Sequence, residues 1–345
     1  MGLGFQESWC LCVRYVPYHR LANIPNIIVD GKANDSTVLT LSHWPSSNTP
    51  LDLKADLSAE IVFRYLNNPG SILSPACDVV SNNHFDEDGL VSLYCLLNPQ
   101  AALEERSTLV DIASAGDFGT FKDRESARVC FVLSAWSNPD LSPLNQGVFA
   151  RPYPEVTAVL YEELLVRLPN IIQKIDNLRR YWQEEDDFLD TTENAIASGL
   201  ITLQEFPEVD LLVVRVQDNG FPYISREHCP SWISSVVHPM ALHNRTERMR
   251  LLVMQGRHYE FYYRYETWVD FVSRPLAKRL DLGNLAKILT TMENGRGCWQ
   301  FTGNDEIIAR LKLVDGKESR IDPEDFLSEV KGALVQGENL NGSIC

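Results

Sequence analysis

The chain has 345 residues, 44% apolar and 23% charged, a make-up that excludes a disordered polypeptide and is long enough for two domains. Its formal net charge of −16 argues against an extended nucleic acid as partner, since that grip needs clustered Lys and Arg. A small phosphorylated ligand stays possible, because a metal ion can invert the field of an acidic cleft.

Met1-Gly2-Leu3-Gly4-Phe5-Gln6 lacks the basic start and apolar stretch of a signal peptide, and Gln6 stands where a myristoylation signal has Ser or Thr. Charged or turn residues interrupt every apolar run before about 18 residues, so no membrane span is expected and the chain reads as cytoplasmic. There is no Cys-x-x-Cys pair, and Cys10-Leu11-Cys12 has the wrong spacing for a zinc knuckle. Cys77, Cys95 and Cys130 sit in apolar stretches, as small hydrophobes do.

Ser36 to Leu41 reads as a strand, and His43 to Pro50 is rich in turn residues. Asp56 or Ser58 then caps a helix through Glu60, Ile61, Phe63 and Tyr65, which Asn67-Asn68-Pro69-Gly70 ends. Ala76 to Ser81 has the continuous apolar character of a buried parallel strand. Leu90 to Leu97 reads as a helix stopped by Asn98-Pro99, and a further helix is expected over Ala101 to Ala115, ending at Gly116. Strand, helix, strand, helix predicts an α/β fold with a parallel sheet and crossover helices.

A long helix is expected from Glu155 to about Asp187, kinked at Pro169, with Glu184-Glu185-Asp186-Asp187 as a solvated end or loop. The boundary falls between about 190 and 205, giving an α/β domain over 1–195 and a smaller α+β domain over 196–345. In the latter, Asp210 to Val216 reads as a strand. Arg248 to Met254 and His258 to Tyr265 form a hairpin about Gln255-Gly256, and a helix over Asp281 to Met292 precedes a Gly-punctuated loop. Tyr259, Phe261, Tyr262, Tyr263 and Tyr265 read as hairpin faces rather than a base-stacking platform.

The densest chemical signal is Asn82-Asn83-His84-Phe85-Asp86-Glu87-Asp88-Gly89-Leu90-Val91-Ser92, directly after a buried strand and before a helix. In open α/β sheets ligands bind at the carboxyl ends of strands. His84, Asp86 and Asp88 alternate, so on an extended strand end they would point to one side. Like charges so close need a cation or protons, and an N/O donor set suits Mn²⁺, Mg²⁺ or Fe²⁺ better than zinc. Capping and turn roles for Asp88, Asn83 and Asp86 are the competing reading.

His84-Phe85-Asp86-Glu87-Asp88-Gly89-x-x-Ser92 resembles the first motif of the DHH phosphoesterase superfamily. That resemblance implies that His84, Asp86 and Asp88 are metal ligands in a two-domain hydrolase, where Mn²⁺ ions activate water for attack on a phosphoryl group. The stretch from Ser273-Arg274 to Phe301-Thr302-Gly303, with Glu293-Asn294-Gly295-Arg296-Gly297 inside it, is weakly similar to that superfamily's substrate-binding domain. Asp111 or Asp117 could supply a later carboxylate, and Asp117 is included among the metal ligands. The Asp-His-His tripeptide that names the superfamily is absent. The whole chain also resembles a bacterial family of unassigned activity with an Asn-His-Phe-Asp-x-Asp-Gly core.

The leading expectation is thus a divalent-metal-dependent phosphoesterase-like hydrolase acting on a small phosphorylated or nucleotide substrate. Arg274 or Arg296 would neutralise that substrate, since guanidinium forks and exposed backbone N–H groups suit phosphate; Arg279 lies in the same region, and surface ion pairing is the competing role for all three. Two alternatives stand beside it. One is a non-catalytic member of the same fold that binds a small anionic ligand or a protein partner. The other is a metal-dependent enzyme of another class, with His43, His238 or His243 recruited as ligands.

Overall fold

A computed structural model describes residues 13–67, 77–218, 232–314 and 318–342. The N-terminal hexapeptide, Cys10 and Cys12, and the helix stop at Asn68-Pro69-Gly70 lie outside the described residues. The chain divides into two units: residues 1–117 with 121–182, and residues 183–345 joined by the short segment Phe118–Thr120. The line between them falls inside a helix, between Trp182 and Gln183.

In the first unit the strands are β1 (Arg14–Tyr15), β2 (Asn26–Val29), β3 (Thr37–Leu41) and β4 (Val79–Ser81); helix α1 (Ser58–Asn67) stands between β3 and β4. They form one parallel sheet in the order β1-β4-β2-β3. Every residue of β2 and β4 is buried, as expected of a sheet covered by crossover helices. The helices that follow are α2 (Glu87–Leu97), α3 (Pro99–Glu104), α4 (Arg106–Asp117), α5 (Arg124–Ser137), α6 (Gln146–Phe149), α7 (Tyr153–Gln173) and α8 (Arg179–Ala197). Leu90 to Leu96 of α2 are buried without a break, so this helix is apolar on all sides and sits inside the unit. It packs on α1, α4 and α7.

Three expectations about helices change. The helix expected over 101–115 is two, α3 and α4, divided at Glu105. Pro169 lies inside α7, and the break comes beyond it, at Lys174 and a 3-10 turn over Ile175–Leu178. Glu184 to Asp187 lie within α8 and not at a helix end, with Asp186 buried.

The second unit carries β5 (Ile201–Phe206), β6 (Leu211–Val216), α9 (Ile233–Val236), α10 (Pro239–His243), β7 (Arg250–Gln255) and β8 (His258–Tyr263), followed by α11 (Gly283–Met292), β9 (Cys298–Phe301), β10 (Arg310–Val314) and α12 (Pro323–Gly342). The six strands make a mixed sheet in the order β5-β6-β7-β8-β10-β9, parallel only between β6 and β7. Period-two alternation feeds two cores. Leu211, Val213, Leu252, Met254, Tyr259, Phe261 and Tyr263 pack with α11 and α12, whereas Leu212, Val214, Leu251, Val253 and Tyr262 pack with Ala195, Ile233, Val236 and Leu242. Tyr259, Phe261, Tyr262 and Tyr263 are thus core residues, whereas Tyr265 lies beyond β8 in a 3-10 turn and is half-buried. Among the described residues, no helix is long and apolar enough to cross a membrane.

Candidate metal centre

The order β4-β2-β3 puts β2 between its two neighbours, so the loop leaving β2 has the β3 and β4 loops on either side. Asp30 directly follows β2, His43 follows β3 by two residues, and His84 and Asp86 follow β4. Parallel strands end at one edge, which gathers these side chains where ligands of such sheets bind. Two groups result. Asp30, His43, Asp88 and Asp117 have ligand atoms all within 4.8 Å of one another, and so do Asp30, His84 and Asp86. Each group could hold a metal ion, for the donors across an octahedral ion stand about 4 Å apart, twice a bond of about 2.1 Å.

Asp30 belongs to both groups, and its backbone is left-handed, with φ 41°. Asp tolerates this region better than most residues, and neighbouring hydrogen bonds hold it there. Its N–H donates to Leu41 O at 3.0 Å. Its carbonyl accepts from Asn82 Nδ2 at 2.9 Å, and its Oδ1 from Ser58 Oγ at 2.8 Å. Its Oδ2 is buried and accepts no hydrogen bond, lying 3.4 Å from His84 Nε2. Buried polar atoms are rarely left so, and this one points into the cluster.

His43 is buried, and its Nδ1 donates to Asp56 O at 2.6 Å. A carbonyl only accepts, so Nδ1 carries a hydrogen and Nε2 faces Asp30 at 3.3 Å and Asp117 at 3.4 Å. A metal-ligating imidazole is oriented in this way by its other nitrogen. Asp117 ends α4, and its buried Oδ2 also accepts no hydrogen bond.

Asp86 and Asp88 do not point to one side. Asp86 is the N-cap of α2, its Oδ1 accepting from Gly89 N at 2.8 Å, while Oδ2 meets His84 Nε2 at 2.6 Å. Asp88 lies in the first turn of α2, and its two oxygens accept from Ser58 N and Ala59 N at 2.7 Å each. It thereby takes two free amides at the start of α1, a place expected for Asp56 or Ser58. The Ser58 hydroxyl serves Asp30 and accepts from His43 N. Glu87, between them, turns away: Ser134 Oγ donates to it at 2.8 Å, and burial before all else raises its carboxyl to about 7.

His84 is set by its surroundings. Tyr161 Oη donates to its carbonyl at 2.7 Å, its N–H donates to Asn82 Oδ1, and the Trp44 ring lies 4.8 Å away, centre to centre. Four carboxylates and two imidazoles thus meet. Two divalent cations would balance the four negative charges with both rings neutral.

The other predicted residues lie elsewhere. Asp111 accepts from Lys122 N and Asp123 N and steadies the loop before α5. His238 and His243 belong to the second unit and join no such group among the described residues. His238 Nδ1 accepts from Met240 N; His243 bonds Phe118 O and Tyr262 Oη. Arg274 donates to Glu247 O, Arg296 is exposed, and Arg279 braces the carbonyls of Asn304, Glu306 and Ile307. Sequence reasoning passed over Asp30 altogether. Its signal was there, since Asn26-Ile27-Ile28-Val29 is a buried-strand run that ends in Asp30-Gly31.

The fold and site define an α/β protein of two units, the first bearing a buried Asp/His cluster that could hold a metal ion. The chain belongs to the family described as a family of unknown function (DUF6687), whose model matches residues 12–339. No curated protein and no solved structure matches it.

Proposed function

We propose that the first unit houses a two-ion divalent-metal centre and that the protein is a phosphoesterase-like hydrolase of a small phosphorylated or nucleotide substrate. One observation carries the reading: Asp30, between two ligand groups, keeps a buried Oδ2 with no hydrogen bond. The oxygen-rich donor set favours Mn²⁺ or Mg²⁺ over zinc, and the resemblance of the His84–Ser92 segment to the DHH first motif agrees with it. Such ions polarise a phosphoryl oxygen and lower the pKa of water. Asp30 would link the two positions, His43 and Asp117 would hold the inner one with Asp88, and His84 with Asp86 would hold the more exposed one. The entry of both His43 and His84 into the cluster favours one second reading, a metal-dependent enzyme of another class.

The test is elemental analysis of the purified full chain beside its His84→Ala and Asp117→Asn variants, followed by Mn²⁺-dependent hydrolysis of bis(p-nitrophenyl) phosphate and of a dinucleotide. Two ions per chain, fewer in each variant, with phosphodiester cleavage, is the expected result. A chain that stays metal-free in excess Mn²⁺ rules out the centre. A metal-loaded chain inert to phosphoesters leaves the second reading.

A further inference from the structure

Asn82 lies directly after β4 and is wholly buried. One side-chain amide reads both ligand-bearing loops: Nδ2 donates to Asp30 O at 2.9 Å, and Oδ1 accepts from His84 N at 2.9 Å. Glycines flank it. A Cβ on Gly89 would come within 2.4 Å of Asn82 Nδ2, and one on Gly31 within 3.2 Å of Asn82 Oδ1. The amide therefore occupies space that a side chain at Gly89 would need, and the glycines let the two loops close on it. Asp30, which it holds by the carbonyl, is in a left-handed conformation that persists only where its surroundings over-determine it.

We propose that Asn82 is the positioning residue of the centre: its amide clasps the Asp30 and His84 loops together and so sets the spacing of the two ion positions. The proposal rests on the two-ion reading above. Asn82 touches neither ion nor substrate. It acts through the Asp30 peptide, whose carbonyl fixes where Oδ2 points, and through the His84 peptide, whose N–H fixes where the ring stands. Groups that orient metal ligands are worth roughly 10–100-fold in metal affinity.

Mn²⁺ alone is the probe, titrated calorimetrically into the full chain and followed by the exchange-coupled electron paramagnetic resonance of the ion pair. Asn82→Ala is compared with Asn26→Ala, which removes another wholly buried Asn of the same unit, one that bonds Ile24 O and Asn34 Oδ1 away from the cluster. In Asn82→Ala one of the two ions is expected to bind at least tenfold more weakly and the coupled signal to vanish. Asn26→Ala, at a similar loss of thermal stability, keeps both. Asn82→Asp keeps an acceptor for His84 N–H but has no donor for Asp30 O, and should lose the pair as well; it also serves if Asn82→Ala does not fold. An Asn82→Ala chain with wild-type affinity and coupling overturns the proposal, as does equal loss of the pair in Asn26→Ala. A wild-type chain that binds no Mn²⁺ overturns the metal centre and the clasp together.

Discussion

Without a cation, the cluster is held together by protons on its imidazoles and on its most buried carboxylates, for burial and the neighbouring carboxylates raise Asp88 and Asp117 as well. Burial works against charge on His43 and His84, but Asp30 facing the first and Asp86 facing the second outweigh it, and both rings rise to about 9. Burial also opposes charge on Asp30, yet the two rings hold its carboxyl down to about 2. Asp88 is pushed up to about 8, by burial first and then by Asp30. At pH 7 an entering ion must displace these protons. Mn²⁺ affinity should therefore rise from pH 7 to 9 and flatten above, and calorimetry in two buffers of different ionisation enthalpy should show protons released. A pH-independent affinity would count against the ligand set. His243, in the second unit, behaves oppositely. Burial and then the Arg264 charge hold it well below its ordinary 6.5. The unfolded chain takes a proton there that the folded chain refuses, so this contribution is full above pH 6.5 and falls away as the pH drops, by at most about 1.4 kcal/mol per pH unit. Urea unfolding at pH 7.5 and 5 should show a smaller acid loss in His243→Leu than in the wild type.

The elements were unevenly legible. Apolar stretches bounded by turn residues, such as α2 before Asn98-Pro99 or the hairpin about Gly256, fall where expected. β2 escaped because its apolar run, Ile27-Ile28-Val29, is only three residues long between polar neighbours, too short to stand out although it is of the same buried kind as β4, and Asp30 escaped with it. The division of α3 from α4 falls in the polar run Glu104-Glu105-Arg106-Ser107-Thr108, which holds no Gly or Pro to mark a stop. His84, Asp86 and Asp88 were visible as candidates by local density and chemistry, and Asp117 was offered, beside Asp111, only through the superfamily resemblance, whereas the pairing of Asp30 with His43 depends on strand order, which no local spacing encodes. Two changes test elements directly. Ala for Gly in a helix ordinarily adds stability, but at Gly89 the new carbon would meet Asn82 Nδ2 and lie 2.6 Å from Tyr161 Oη. Gly89→Ala should cost about 1–3 kcal/mol and weaken Mn²⁺ binding, by urea unfolding and calorimetry. Phe326 of α12 is wholly buried, its ring 4.6 Å from Tyr259 and 4.8 Å from Trp299, centre to centre. Phe326→Ala should cost about 3–5 kcal/mol.

At the scale of the whole molecule, the two units have separate sheets and cores, and all six cluster residues belong to the first. A ligand that binds only the folded state stabilises the part it binds. Hydrogen exchange with and without Mn²⁺ should thus show added protection over residues 26–31, 41–44, 79–92 and 109–117, and little change in β6 to β8. Uniform protection across both sheets would speak against a centre confined to one unit. The left-handed turn at Asp30 also bears on descent. Asn accepts that backbone as readily as Asp and keeps an oxygen for the Ser58 hydroxyl, so a lineage could exchange one for the other, surrender the shared charge and keep the loop. If the centre holds ions as proposed, Asn at that single position would mark a chain that keeps the scaffold without the charge the two ion positions share.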